Sequence, residues 1–98
     1  MNYGKAIKTV RALRNISQKE LGIKTKLSKG YISKIENGIA VPSVNQLEEI
    51  TTELKIPFYM LIFLSSEKGD LIGISEKSAE KLKSSFFDVL TSTETVKK

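Results

Sequence analysis

Residues 17–38 read SQKELGIKTKLSKGYISKIENG and contain the signals for two short helices joined by a tight turn. Ser17 and Glu20 have the spacing of a capping box, in which each side chain satisfies a free backbone N–H of the other residue. Ser28 offers the N-cap of the following helix, and Gly38 is the residue type that commonly follows a helix end. Because few residues separate the two helices, we expect them to meet at a steep angle.

The second of these helices has one apolar and one polar face. Leu21, Leu27 and Ile32 are predicted to fill the wedge between the two helices, which is the arrangement of a helix-turn-helix. The polar positions are Gly30, Ser33, Lys34 and Asn37, with Lys29 at the N-terminal end. This face carries no acidic residue, and a helix about 10 to 12 Å across fits a DNA major groove about 12 Å wide. The pattern therefore predicts contact with double-stranded DNA.

Three more helices are predicted around this pair. A stripe of apolar residues at helical spacing indicates a first helix over residues 3–14. Ser43 and Gln46 repeat the capping-box spacing and begin a fourth helix. Pro57 suits the first turn of a fifth, which is apolar on every side through Leu64. The apolar stripes of the first and fourth helices comprise Ala6, Val10, Leu13, Leu47, Ile50, Thr51 and Leu54.

The C-terminal third is predicted to add one helix to an otherwise complete domain. Residues 65–74 hold two glycines and are interpreted as a loop or one short strand. Ser75 then begins a sixth helix, and the tail from Thr91 onward is expected to fray. The apolar seam of this helix is predicted to comprise Ala79, Leu82, Phe86, Val89 and Leu90. We divide the all-α chain into a helix-turn-helix domain, residues 1–65, and a C-terminal appendage, residues 66–98.

Composition excludes several classes of function. The 98 residues include no Cys and no His, so disulfides, thiolate or imidazole metal sites and Cys- or His-based catalysis are absent. We expect no enzyme, no cofactor and no metal. The longest apolar run, residues 56–64, is far shorter than the roughly 20 residues that span a bilayer, and the N-terminus lacks an apolar signal segment. The expectation is a soluble cytoplasmic protein without a membrane partner.

The net charge of +5 is unevenly distributed. Residues 1–38 carry nine basic and two acidic side chains, a net charge of +7, whereas residues 39–98 carry seven basic and nine acidic side chains, a net charge of −2. A basic half of this kind attracts polyanions such as nucleic acid. A solvated lysine-rich surface without a partner is the alternative that charge alone leaves open.

Four segments keep a fixed spacing that is typical of one family. They are SQKEL at 17–21, SKGYISKIENG at 28–38, PSVNQL at 42–47 and LKI at 54–56. Together they resemble the Xre and lambda-repressor-like helix-turn-helix family over residues 4–64, about two-thirds of the chain. The resemblance implies a five-helix domain that binds operator DNA, usually as a two-fold dimer.

The resemblance also implies roles for individual residues. The base-contacting positions correspond to Lys29, Gly30, Tyr31 and Lys34, and the phosphate-contacting positions to Gln18, Ser33, Asn37 and Ser43. Lysine can donate to guanine O6 and N7, whereas phosphate contacts fix register without reading sequence. Gly30 has no side chain with which to read a base, although it allows closer backbone approach.

Simpler roles remain open for several of these residues. The lysines could serve only as phosphate attractors, and Tyr31 could pack against the second helix. Gln18 could be an exposed helix-start residue, and Asn37 could serve only as a cap.

The resemblance further implies a structural ion pair between Arg11 and Glu36. Loss of one partner of such a pair leaves the other charge unpaired, at a cost of roughly 3 to 5 kcal/mol. Two residues depart from the family pattern: Gly22 replaces the usual alanine, and Lys26 stands where glycine is common in the turn. If that turn requires positive φ, Lys26 is strained by about 1 kcal/mol or more.

The apolar surfaces of the last two helices need burial, either within one chain or between two copies. The candidate dimer residues are Phe58, Leu61, Leu82, Phe86 and Leu90. A dimer would hold two recognition helices about 34 Å apart and predicts a palindromic site. Nothing in residues 66–98 resembles a ligand-binding domain, so we expect no small-molecule effector.

Two functions of different classes follow. The favoured one is a sequence-specific DNA-binding transcriptional regulator, a repressor that acts as a homodimer. The alternative is a protein-interaction module, such as an antitoxin or an antagonist of another regulator, in which DNA binding is secondary.

Overall fold

The computed structural model describes residues 1–67, 69–70 and 73–91. These residues form six helices and, within those ranges, no strand, which confirms an all-α domain of five helices followed by a C-terminal helix. No helix in this part of the chain is both long and apolar enough to cross a membrane. The helices are α1 (Tyr3–Leu13), α2 (Gln18–Thr25), α3 (Lys29–Glu36), α4 (Val44–Leu54), α5 (Phe58–Ser65) and α6 (Glu76–Thr91).

Serine side chains define where the middle helices begin. The Ser17 hydroxyl accepts from the Glu20 N–H at 3.0 Å, and the Ser43 hydroxyl accepts from the Gln46 N–H at 3.1 Å. In both cases the side chain of the third helical residue returns a bond to the serine N–H, so both predicted capping boxes are confirmed. Ser28 caps α3 as predicted. Pro57 was predicted in the first turn of α5, but it is the N-cap and lies one position before that turn.

Both departures from the family pattern lie at or beside the turn between α2 and α3: Gly22 within α2 and Lys26 at its C-cap. Lys26 ends α2 in the left-handed conformation with φ +62°, as the family's glycine would. The Leu27 N–H donates to the Gly22 carbonyl at 2.9 Å, and a Cβ on Gly22 would lie 2.6 Å from the Leu27 carbonyl oxygen. The turn therefore packs directly on position 22, and any larger residue there would require the backbone around Leu27 to shift.

The core lies between α1 and the other four helices of the domain. Leu21 and Ile32 are buried in the predicted wedge, and Leu27 packs at its edge. All four predicted core positions of α4 are also buried. The buried apolar residues are Ala6, Ile7, Val10, Leu21, Ile32, Ile35, Leu47, Ile50, Leu54, Ile56, Met60, Leu61 and Leu90.

The predicted stripe of α1 is wrong at its last position. Ala6 and Val10 are buried, but Leu13 is 39% exposed. The inward face continues instead to Arg14, whose guanidinium donates to the Leu54 carbonyl at 3.0 Å and to the Lys55 carbonyl at 3.0 Å. Arg14 thus binds orphan carbonyls at the end of α4, where a cation is also favoured by the helix dipole.

The predicted seam of α6 is also partly wrong. Leu82 and Val89 are 43% and 55% exposed, whereas Leu90 is buried and Phe86 stacks edge-to-face on Phe63 with ring centroids 5.4 Å apart. Position 83, and not position 82, lies on the inward face of α6. The Lys83 ammonium donates there to the Ser66 carbonyl, near the end of α5. A lysine can line an apolar face when its charged end reaches such an acceptor.

The connection from α5 to α6 is described only in part. Gly69, Asp70 and Gly73 lie in turns or bends, and positions 68, 71 and 72, like the tail at 92–98 that was expected to fray, are outside the described residues. Thr91 is helical. The Met1 amino group donates to Asp70 Oδ2 at 2.7 Å, and this bond raises the pKa of the amine and lowers the pKa of the Asp70 carboxyl.

Substitution of Gly4 by alanine should destabilise the domain by about 3 kcal/mol, because overpacking against backbone forces helices apart. A Cβ on Gly4 would lie 2.2 Å from the Ile35 carbonyl oxygen, where α1 crosses the end of α3. Urea unfolding measures the change. Gly30→Ala is the matched control, since nothing nearer than 4.0 Å meets its Cβ and alanine favours the helix. Equal stability of Gly4→Ala and wild type would contradict this packing.

Substitution of Lys26 by glycine should raise the free energy of unfolding by about 0.5 to 1 kcal/mol. The substitution removes the strain of a left-handed lysine, and this gain exceeds the free-energy cost of the greater freedom that glycine gives the unfolded chain. Gly38 also has a left-handed backbone, with φ +77°, and there the reverse change, from glycine to a residue with a side chain, should destabilise the fold. Gly38→Ala should cost about 1 kcal/mol although no atom lies within 4 Å of its Cβ. Thermal unfolding of both variants checks the signs, and a loss of stability in Lys26→Gly would show that the turn is not strained there.

Candidate nucleic-acid interface

The two faces of α3 differ sharply in burial. Ile32 and Ile35 are 1% exposed and form part of the core. The opposite face is open to solvent along its whole length. Its exposed residues are Lys29, Gly30, Lys34 and Asn37, and Ser33 is half-buried. This face was predicted from helical spacing, and no other element of the described chain covers it.

The N-terminal end of α3 is suited to an anion. Ser28 satisfies the Tyr31 N–H at 3.0 Å, and the N–H groups of Lys29 and Gly30 precede the first hydrogen bond within the helix. Such free N–H groups, together with the positive end of the helix dipole, favour a phosphate. The exposed Lys29 ammonium adds a full charge at the same end.

The C-terminal end of the polar face is pre-arranged by its own side chains. The Asn37 amide donates to Ser33 Oγ at 3.3 Å, and the Asn37 N–H donates to the Ser33 carbonyl at 3.0 Å. Asn37 is also the C-cap of α3, which is the simpler role that its sequence left open. The Ser33 hydroxyl accepts in this arrangement and therefore keeps its own proton for another acceptor.

Tyr31 and Ser43 are already engaged within the protein. The Tyr31 hydroxyl donates to Gln46 Oε1 at 3.2 Å, and the same oxygen accepts from the Ser43 N–H at 3.0 Å. The tyrosine is half-buried and connects α3 to the capping box of α4. Only the hydroxyl proton of Ser43 remains for a phosphate, because its Oγ accepts from the Gln46 N–H and its own N–H is bonded.

Arg11 and Glu36 form the ion pair that the resemblance implied. Arg11 Nε donates to Glu36 Oε2 at 2.7 Å, and Arg11 Nη2 donates to Glu36 Oε1 at 3.1 Å. The Glu36 side chain is 1% exposed and that of Arg11 is 15% exposed. The Arg11 Nη1 group also donates to the Ile16 carbonyl at 3.0 Å, so one guanidinium connects α1, the α1–α2 loop and the end of α3.

Gln18 lies beside this pair. Its Nε2 donates to Glu36 Oε1 at 3.0 Å, so its amide binds the protein's own carboxylate in the structure. The expected phosphate contact at this residue would need the second amide proton or the backbone N–H at the start of α2.

A family model described as Helix-turn-helix matches residues 7–61, more than half of the chain. The chain belongs to the helix-turn-helix family. The match begins within α1 and ends in the middle of α5, and it includes the capped pair and the exposed face of α3. A search of curated proteins finds no match to the chain. As a family member, this helix-turn-helix protein is a DNA-binding transcription regulator of the Xre type, and such domains generally bind DNA without catalysing a reaction.

In the helix-turn-helix protein, some of the residues predicted to form a dimer contact are buried within one chain. Leu61 and Leu90 are buried within one chain and are unavailable to a second copy in this conformation. Phe58 and Phe86 are half-buried, and Leu82 is exposed. Tyr59, which was not among the predicted contact residues, is 68% exposed.

The structure also adds residues that position the face of α3. Gly4 permits the close crossing of α1 and α3, and Gln46 joins the Tyr31 hydroxyl to the start of α4. The capping-box spacing revealed Gln46 as a helix-start residue, but its second bond comes from the tertiary structure. Gly4 has no signal in a single sequence, since a glycine in a helix does not indicate what crosses it.

Removal of either charge of the buried pair should destabilise the helix-turn-helix protein by about 3 to 5 kcal/mol, because the remaining ion loses its partner away from water. A double-mutant cycle with Arg11→Met, Glu36→Leu and the double variant measures the coupling. We expect the double variant to be less destabilised than the sum of the singles by about 2 kcal/mol. Strict additivity would mean that the bidentate geometry carries no coupling energy.

Proposed function

We propose that this helix-turn-helix protein is a sequence-specific repressor that places α3 in the major groove of operator DNA. The observation that carries the proposal is the exposed, acid-free face of α3 opposite a face that is fixed in the core. A helix held in this way projects its side chains in one orientation, which base readout requires. The net charge of +7 on residues 1–38 supports the electrostatic part of binding.

Within this proposal the residues of α3 divide into two sets. Lys29 and Lys34 contact base edges and favour guanine, because an ammonium can donate to both O6 and N7. Gly30 lets the backbone approach the DNA closely, since it has no side chain and the space where a Cβ would lie is open, with Ser28 Oγ 4.0 Å away. Tyr31 contributes only the exposed part of its ring, because its hydroxyl is bonded to Gln46.

Phosphate contacts at both ends of α3 would set its register in the groove. The proposed contacts are the side chains of Ser33, Asn37 and Ser43 and the backbone N–H of Gln18 at the start of α2, since the Gln18 amide is bonded to Glu36. Ser33 and Ser43 each accept a hydrogen bond at Oγ, which leaves their hydroxyl protons to donate to a phosphate. Such bonds position the helix without reading sequence, so their loss should weaken binding to all duplexes equally.

We further propose that two copies bind a palindromic operator. A homodimer related by a two-fold axis would present two α3 helices to half-sites about 34 Å apart, one turn of DNA. The apolar residues that remain accessible on α5 and α6 support a contact between copies. They are Phe58, Tyr59, Leu82, Phe86 and Val89. Repression is proposed because members of the resembled family usually repress, and a dimer on an operator can block transcription by occupancy.

Selection from a random duplex pool with the purified chain tests the proposed function. We expect a palindromic consensus with half-sites about one helical turn apart, because the two copies are related by a two-fold axis. A control selection with the Lys29→Ala/Lys34→Ala variant should recover no such consensus. Recovery of no consensus by the wild-type chain would favour a protein-interaction module instead.

Alanine at Lys29 or Lys34 should weaken DNA binding and reduce its salt dependence. Each lysine that neutralises a phosphate contributes about −0.9 to the slope of log affinity against log salt concentration, so a phosphate-only role predicts this change for every duplex. A base-reading role predicts a larger loss on the selected duplex than on a scrambled one. Fluorescence anisotropy at several salt concentrations separates the two. Lys77→Ala, an exposed lysine on α6, is the control and should change neither quantity.

A further inference from the structure

The hydrogen bond between Gln18 and Glu36 joins the open ends of the helix-turn-helix. Residues 26–28 connect the end of α2 to the start of α3, so the first residue of α2 and the last residue of α3 are the ends that the turn leaves apart. Gln18 is that first residue and Glu36 is that last residue, and their side chains meet at 3.0 Å. The pair of helices is therefore closed by the turn at one end and by this bond at the other.

The Glu36 carboxylate is a fixed acceptor for the hydrogen bond from Gln18. It is 1% exposed, and Arg11 binds both of its oxygens at 2.7 and 3.1 Å. Arg11 also donates to the Ile16 carbonyl, just before the N-cap of α2. The acceptor that Gln18 reaches is thus fixed by other contacts, and a bond to an ionised acceptor is about twice as strong as one between neutral groups.

We propose that Gln18 is a positioning residue that sets the angle between α2 and α3, and thereby the depth to which the C-terminal half of α3 enters the major groove. This inference rests on the proposed function, since it concerns how the same interface is held. In this assignment the Gln18 side chain acts within the protein, and the proposed phosphate contact at this residue is made by its backbone N–H, which a side-chain substitution keeps.

The length of α3 determines which base contacts depend on this bond. Eight residues at 1.5 Å each make a helix about 12 Å long, so an opening of about 1 Å at the far end tilts it by roughly 5°. Lys29 lies next to the turn and moves little when α3 tilts. Lys34 lies in the last turn and moves by most of the opening. Loss of the bond should therefore impair readout by Lys34 and spare readout by Lys29.

Gln18→Met in the full chain tests the proposal, because methionine keeps the length of the side chain and removes the donor. We expect the ratio of affinities for the selected and a scrambled duplex to fall about tenfold, within the range that a single base contact supplies. Affinity for the scrambled duplex should stay unchanged. A second selection with the variant should relax only at the base pairs whose preference is also lost in Lys34→Ala.

Lys19→Met is the matched control, since Lys19 is the exposed neighbour of Gln18 in the first turn of α2. Its removal should leave the specificity ratio unchanged, whatever it does to the salt dependence. If Gln18→Met weakens binding to both duplexes by the same factor, the Gln18 side chain is a phosphate contact and the proposal is wrong. The proposal is also wrong if Gln18→Met changes neither the affinity for the selected duplex nor the ratio of affinities for the selected and scrambled duplexes.

A measurement without DNA separates this inference from the proposed function. Residual dipolar couplings of backbone N–H groups report the relative orientation of α2 and α3 in the free protein. We expect Gln18→Met to change that orientation by several degrees, while Lys19→Met preserves it. If the wild-type chain binds no duplex, the proposed function is wrong, and the dipolar couplings still show whether Gln18 holds the angle between α2 and α3. If Gln18→Met leaves that angle unchanged, the inference is wrong whatever the chain binds.

Discussion

The carboxylate of Glu36 is the point at which helices α1, α2 and α3 are joined. It is buried at the end of α3, it accepts two bonds from Arg11 on α1, and it accepts one from Gln18 at the start of α2. A charge in this position is tolerated only because its oxygens are satisfied. The core holds the inner face of α3, and this network joins its last residue to α1 and to the start of α2. In the proposed binding mode, stability and DNA recognition therefore depend on the same side chain.

Much of the fold could be predicted because local chemistry determines where these helices begin. Ser17, Ser28 and Ser43 each precede a helix at the predicted residue, and two of them form complete capping boxes. The exposed face of α3 was predicted for a related reason, since helical spacing places Gly30 and Lys34 opposite the buried isoleucines. Local hydrogen bonds and periodicity are properties of a short stretch, and a single sequence reveals them.

The features that could not be predicted depend on what lies across the molecule. The inward face of α6 includes Lys83 because its ammonium meets a carbonyl at the end of α5, whereas Leu82 remains exposed. Gln18 has the sequence context of a phosphate contact, yet its amide binds Glu36. Gly4 is required only because the Ile35 carbonyl crosses it. Each of these depends on a tertiary neighbour whose distance no spacing rule gives.

The central claim, that the outer face of α3 lies in the major groove, can be tested by site-directed cross-linking. The chain has no cysteine, so one introduced at Gly30 or Lys34 is unique. It can form a disulfide with a thiol tethered to cytosine N4, which projects into the major groove. The account predicts rapid cross-linking of both variants to the duplex obtained by selection, and none for Lys77→Cys on α6. Equal cross-linking at all three positions, or cross-linking only to a minor-groove tether, would contradict it.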